Sequence, residues 1–286
     1  MKRRLPIASS ATVARSTVSR RRRVVVTGAS TGIGEATVIA LREKGWDVIA
    51  IARRADRLAD LAKRTGCRWY ACDLRDAAAV ADIADAILEK GHVDALVNNA
   101  GGALGVDSIA DANPEDWLEM YQRNVMTALH MTRAFLPSMR ASGGSIVFLT
   151  STAAHDTYPG GGGYVAAKHA ERIIANTLRQ EVVADPVRII EIAPGMVHTP
   201  EFSLNRLGSE EAAEKVYEGV PNPLVAEDIA EAITWALTLP AHVNIDSMIV
   251  RPRVQATNTL VHREPVPTQR TRRAGQRTTK GKKTQG

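Results

Sequence analysis

Residues 23–27 read Arg-Val-Val-Val-Thr and run directly into Gly28-Ala-Ser-Thr-Gly32-Ile-Gly34, followed by the amphipathic stretch EATVIALREKG. A β-branched run, a glycine turn and a helical period in that order predict a strand–turn–helix unit. Glycines let the backbone turn tightly and approach a pyrophosphate. The helix N-terminus adds free N–H groups and a dipole that favours anions. The spacing GxxxGxG differs from the commoner GxGxxG fingerprint. On this reading Gly28, Ser30, Thr31, Gly32, Ile33 and Gly34 cradle a dinucleotide; a purely structural turn is the bland account.

The next strand, 47–51, ends in Ala52-Arg53-Arg54. A free ribose 2′-hydroxyl is met at such a strand end by Asp or Glu. Here two guanidiniums stand instead, able to grip a 2′-phosphate bidentately, which argues for NADP over NAD. The alternative is that Arg53 and Arg54 merely begin the next helix in solvent. A helix over 56–64 and a strand over 67–72 lead to Asp73-Leu74, placed beside an adenine site at the strand's carboxyl end.

Further helices are expected over 76–90, 113–136, 164–183 and 226–239, and strands over 93–97, 145–150, 187–193 and 243–250. Strands and helices alternate with no internal repeat. The expected fold is therefore α/β: one Rossmann-type doubly wound parallel sheet of about seven strands with helices on both faces. Asn98-Asn99 ends the fourth strand, where amides can line the cofactor cleft or simply close a turn. Residues 201–222 are polar and placed to act as a substrate lid.

Charge separates the body from its ends. The chain carries 37 Lys and Arg against 31 Asp and Glu, a net +6. Residues 1–23 hold eight of the bases and residues 265–286 hold seven, with no acid in either segment. Removing those 15 leaves 22 bases against 31 acids, a net −9 for residues 24–264. The high pI thus says nothing of a nucleic-acid surface on the body. Residues 1–22 are expected to be a basic disordered extension, a transit peptide or the product of a misplaced start; residues 265–286 a basic disordered tail. Such tails bind nucleic acid weakly at most. No apolar run approaches the roughly 18 residues of a membrane span. Cys67 and Cys72 read as reduced core thiols of a cytoplasmic protein. No metal site is expected among the seven histidines.

The chemistry concentrates at Tyr164-Val-Ala-Ala-Lys168. Side chains four apart share a helix face. A lysine ammonium favours the ionised form of a neighbouring phenol, whose ordinary pKa is about 10. A tyrosine tuned toward neutral pH exchanges a proton with a carbinol oxygen. Ser151 lies at the carboxyl end of a strand, where α/β sheets place ligands. Asn124 sits in mid-helix, where a polar side chain needs a reason. A mobile Gly160–Gly163 stretch precedes Tyr164.

Taken together, Thr27-Gly-x-x-x-Gly32-Ile-Gly34, Asn98-Asn99-Ala100-Gly101, Ser151, Tyr164-x-x-x-Lys168 and Pro194-Gly195 resemble the short-chain dehydrogenase/reductase family over about residues 23–262. The segments Ile51-Ala-Arg53-Arg54-x-x-Arg57-Leu58, Asn99–Gly105, Glu201-Phe202-Ser203, 239–245 and Val261-His262-Arg263 are similar to its NADP-dependent 3-hydroxy acid, serine-type dehydrogenases. The resemblance implies Tyr164 as general acid/base and Lys168 as its tuner and holder of the nicotinamide ribose. It implies Ser151 as hydrogen-bond partner of the substrate oxygen and Asn124 as holder of a water beside Lys168. Pro194, Gly195, Val197 and Thr199 would then meet the nicotinamide end, and residues 251–264 would reach across subunits of a homotetramer.

The reading is an NADP-dependent oxidoreductase acting on a small 3-hydroxy acid or related secondary alcohol or carbonyl. A reductase of bulkier ketones or sugar alcohols uses the same site. A non-catalytic nucleotide-sensing or nucleic-acid-tethered binding protein has no use for Ser151, Tyr164 and Lys168 together.

Overall fold

The computed structural model describes residues 20–265. The disordered extension and tail expected at the two ends lie outside it, except for Arg20–Arg22 and Pro265. Arg20 ion-pairs with Asp94 at 2.7 Å, and the Arg22 guanidinium stacks 4.2 Å from the centroid of the Trp46 ring.

In chain order the elements begin with β1 (Arg23–Thr27), α1 (Gly32–Glu43), β2 (Asp47–Ala52), α2 (Ala55–Thr65), β3 (Arg68–Ala71), α3 (Ala77–Leu88) and β4 (Ala95–Asn98). Then come α4 (Pro114–Tyr121), a π turn (Gln122–Met126), α5 (Thr127–Ser142), β5 (Gly144–Leu149), a 3₁₀ turn (Thr152–Ala154) and α6 (Gly162–Glu181). The rest comprises β6 (Val187–Pro194), β7 (Val197–His198), α7 (Phe202–Leu207), α8 (Glu210–Tyr217), β8 (Leu224–Val225), α9 (Ala226–Thr238) and β9 (Met248–Val250).

Seven strands form one parallel sheet in the order β3-β2-β1-β4-β5-β6-β9. The chain steps outward from β1 to β3, then returns to β4 on β1's other flank, which opens a crevice at the carboxyl ends of β1 and β4. Residues of β1 are buried on both faces, as a central parallel strand requires, whereas β3 alternates because it is an edge. One face packs Val38, Leu41, Leu58, Leu61, Ile229 and Ile233 from α1, α2 and α9. The other packs Ile87, Met131, Phe135 and Leu178 from α3, α5 and α6. The doubly wound sheet is as expected.

Three local expectations change. The helix expected over 113–136 is α4, a π turn and α5, and it continues to Ser142. Its start is as predicted: Asn113 caps by accepting from the Glu115 N–H, with Pro114 at the first turn. The strand expected over 243–250 is only three residues long. The glycine run before Tyr164 is packed: a Cβ on Gly162 would press on Trp117, one on Gly163 on Met120, and α6 already begins at Gly162.

Candidate active site

The crevice at the carboxyl ends of the sheet is the mouth of a cleft of about 860 Å³. Its floor is the glycine turn. Gly28 and Gly32 have φ of +63° and +54°, a region that L side chains rarely adopt. A Cβ on Gly34 would collide with the Gly28 carbonyl, so α1 must begin pressed against the turn. Thr31, at the N-cap, makes no side-chain cap hydrogen bond, leaving the first N–H groups of α1 without a side-chain cap. Asn99 holds the turn: its side chain donates to the Thr27 carbonyl at 2.8 Å, while the Thr27 hydroxyl accepts from the Asn99 and Ala100 N–H groups. Ser30, Thr31, Gly32 and Ile33 all line the cleft; Gly34 stands behind it.

Arg53 and Arg54 line the same cleft at the end of β2. Arg54 donates to both Glu201 oxygens at 2.7 and 2.8 Å and to the Ser30 hydroxyl at 3.0 Å. That grip holds the Glu201 carboxyl below the usual carboxylate range. Asp73 and Leu74 form the opposite corner, and Arg75, donating to Asp73, brings its carboxyl down to about 2.

Ser151, Tyr164 and Lys168 meet at the other end of the cleft. Ser151 leaves β5 and caps the 3₁₀ turn, its hydroxyl accepting from the Ala153 N–H at 3.1 Å. Tyr164 and Lys168 lie one turn apart on α6, buried to 8% and 4% exposure, with the ammonium 6.0 Å from the phenol ring centroid. Lys168 donates to the Leu149 carbonyl at 2.9 Å and to Glu171 at 2.7 Å. Burial drives the Tyr164 phenol above its ordinary value, and the opposing pull of Lys168 and of a hydrogen bond from Ser151 does not overcome it. The acidified phenol expected from the Tyr–Lys spacing is therefore corrected for the free protein. The ammonium acts in the expected direction, but desolvation is the larger effect.

Asn124 does not line the cleft. It is fully buried on the π turn, donating to the Met120 and Gly102 carbonyls at 2.7 and 2.8 Å and accepting from the Gly102 N–H at 3.1 Å. The π turn widens the helix where Asn124 reaches the loop after β4. Pro194, Gly195, Val197 and Thr199 line the cleft's far wall, and Thr199 lies 3.5 Å from where a Gly32 Cβ would stand.

Residues without a motif complete the enclosure. Phe202 meets Tyr164 edge to face at 5.8 Å. Arg206 reaches from α7 to the Gly105 and Gly160 carbonyls and the Tyr158 hydroxyl. Gln255 accepts from the Met196 N–H at 2.8 Å, and Asn258 donates to the Thr152 carbonyl at 3.3 Å. Glu171, Phe202 and Arg206 had a readable signal, Phe202 within Glu201-Phe202-Ser203. Glu171 follows Lys168 by three, on the same helix face, and Arg206 falls in the stretch expected to form a lid. Among the described residues no group of three or more His, Cys, Asp or Glu is placed to hold a metal, and no helix is long and apolar enough to cross a membrane.

A doubly wound sheet with an anion-cradling turn and a Ser-Tyr-Lys cluster at one crevice defines a dinucleotide-dependent enzyme class. The short chain dehydrogenase family matches residues 22–207, and the chain belongs to that family. It is 49% identical over 245 residues to an uncharacterized oxidoreductase of Mycobacterium tuberculosis, covering 85% of this chain and 96% of the relative. It is 39% identical over 247 residues to the NADP-dependent 3-hydroxy acid dehydrogenase YdfG of Escherichia coli, covering 84% and 99%. The closed form of a serine dehydrogenase complexed with NADP+ superposes with a TM-score of 0.80 at 38% identity, covering 85% of this chain and all of that one.

Proposed function

We propose that this protein is an NADP-dependent oxidoreductase that interconverts a small 3-hydroxy acid, or a related secondary alcohol, with its carbonyl. One observation carries the reading: Ser151, Tyr164 and Lys168 open into the same cleft as the glycine turn and the arginine pair. Support for the coenzyme comes from Arg53 and Arg54 at the strand end and from the NADP-dependent relatives.

The residues fit that coenzyme: the glycine turn and open start of α1 would hold the pyrophosphate, Arg53 the 2′-phosphate together with Arg54, whose guanidinium would turn to it from Glu201, and Asp73 and Leu74 the adenine side. Asn99 borders the ribose side, and Pro194, Gly195, Val197 and Thr199 would border the nicotinamide. The bound nicotinamide supplies hydride exchange with the substrate carbon. Ser151 holds the substrate oxygen, where charge develops. Tyr164 gives its phenolic proton to that oxygen in reduction and removes it in oxidation. Lys168 stabilises the phenolate and would bind the nicotinamide ribose. Asn124 keeps the loop at Gly102 against the π turn and would position a water beside Lys168. Residues 23–264 form the catalytic body on this reading. The assembly is a homotetramer of the cytoplasm, supported by the family resemblance of residues 251–264 and by two buried free thiols, Cys67 and Cys72.

Absorbance of reduced nicotinamide, followed across hydroxy acids, aldehydes and ketones, tests the proposal. Tyr164→Phe is expected to lower turnover by about 10²–10⁴ while NADPH still binds. Loss of binding together with turnover would make Tyr164 a structural residue instead. The double variant Arg53→Ala, Arg54→Ala is expected to weaken NADP far more than NAD. An equal loss for both coenzymes would remove the 2′-phosphate argument.

A further inference from the structure

Two carboxylates behind the site have no part in the chemistry above. Glu171 is fully buried on α6 and Glu191 is 1% exposed on β6. One oxygen of Glu171 takes the Lys168 ammonium at 2.7 Å; its other oxygen has no hydrogen-bond partner. Glu191 spends one oxygen on the Thr150 hydroxyl at 2.7 Å and on His155 at 2.9 Å, with Arg172 at 3.8 Å from the other. The groups acting on Glu171 are Lys168 and Tyr164 on its own helix and Glu191 from β6, while His155 and Arg172 stand against Glu191.

A lysine with 4% of its surface exposed cannot keep its proton by hydration. Burial alone lowers a lysine's pKa by up to about 3–5 units, so the charged form needs an anion beside it. Resting on the proposed dehydrogenase reading, we propose that Glu171 is a positioning residue for catalysis: it is the counter-anion that keeps Lys168 an ammonium at alkaline pH and so preserves the cation that Tyr164 works against.

The titration directions agree. Burial pushes Lys168 down, the Glu171 carboxylate pulls it up, and the carboxylate wins. Burial, with the charge of Glu191 behind it, lifts Glu171 to about 7 against the pull of Lys168. Below neutral pH Glu171 carries a proton and Lys168 a lone charge. Above it the two form an ion pair. The carboxylate therefore matters in the alkaline half of the range, where an unpaired Lys168 would shed its proton.

Glu171→Gln keeps the shape and an acceptor for Lys168 but removes the charge; Glu171→Asp keeps the charge. Alcohol oxidation by wild type and Glu171→Gln should run together below about pH 7. Above that the wild-type to variant ratio of kcat/KM should grow, on the order of tenfold per pH unit, as Lys168 and with it the phenolate are lost. Glu171→Asp should keep the wild-type slope.

Thermal melting of the full chain gives an arm independent of turnover. With Lys168 depressed in the folded Gln variant, the unfolded chain binds more protons between the depressed and the ordinary lysine value. Its melting temperature should therefore rise relative to wild type as pH rises toward about 10, because the wild-type ion pair gains no stability over that range. A melting difference from wild type that is constant with pH, or pH–rate profiles that stay parallel, would overturn the proposal and leave Glu171 a packing residue. Absence of turnover on every alcohol would sink the functional reading alone, with the melting arm still deciding the Glu171–Lys168 pair.

Discussion

Tyr164 shows how one side chain is pulled by competing surroundings. Burial keeps its proton on, while Lys168 and Ser151 favour releasing it. In the free protein the phenol therefore holds its proton at neutral pH, the form that donates to a carbonyl. Oxidation needs the opposite form. We expect the rate of carbonyl reduction to fall, and that of alcohol oxidation to rise, as pH approaches the raised phenol value from below. Initial rates in both directions with NADP(H) from about pH 6 to 10, the four units below the ordinary value, check this, and an oxidation limb rising and complete below pH 7 would contradict it. The spacing of Tyr164 and Lys168 reveals the pairing of these side chains. It does not reveal the magnitude of desolvation, which depends on Phe202, Arg206 and the 3₁₀ turn closing over them from distant parts of the chain.

At the scale of elements, α7 is tied to the strand end of β2 by Glu201, which Arg54 grips with both arms while Arg57 stands 3.8 Å away. The Glu201 carboxyl lies below its ordinary value, so the tie is complete above the usual carboxylate range and fails as pH falls through the lowered one. Glu201→Gln is expected to loosen α7 and α8, raising amide hydrogen exchange there by about 1.4–5-fold, a cost of roughly 0.2–1 kcal/mol. Unchanged exchange would show that Arg206 suffices to hold α7. The alternation of strands and helices was legible because hydrophobic period and glycine punctuation agree along β1, α1 and β2. The π turn at Asn124 was not, since its signal is one polar residue in an otherwise regular helical pattern. Gly162 and Gly163 misled for a similar reason. Their composition suggests freedom, whereas Trp117 and Met120, some forty residues upstream, leave no room for a side chain. Glu191 was invisible because only the fold brings His155 and Thr150 to it.

For the whole molecule, charge is divided between the body and its ends. Residues 1–19 and 266–286 carry 11 of the 37 bases and none of the acids, so a chain of residues 20–265 holds 26 bases against 31 acids. Its net charge becomes −5 in place of +6. The shortened chain should cease to bind a cation exchanger at neutral pH, keep its turnover, and keep the assembly state of the full chain by light scattering. Loss of turnover would assign the ends to the working enzyme, and a smaller mass would assign them to assembly.

The seventh strand, β9, lies at residues 248–250, and Gln255 and Asn258 beyond it brace Met196 and Thr152. Those residues leave the ribosome after all six earlier strands of the sheet. A nascent chain can pair its six earlier strands while one side of its cleft is still unbraced. Coenzyme therefore gains its full grip only after residues 255–258 have emerged, and ligand-driven stabilisation favours chains that carry them over chains cut before them.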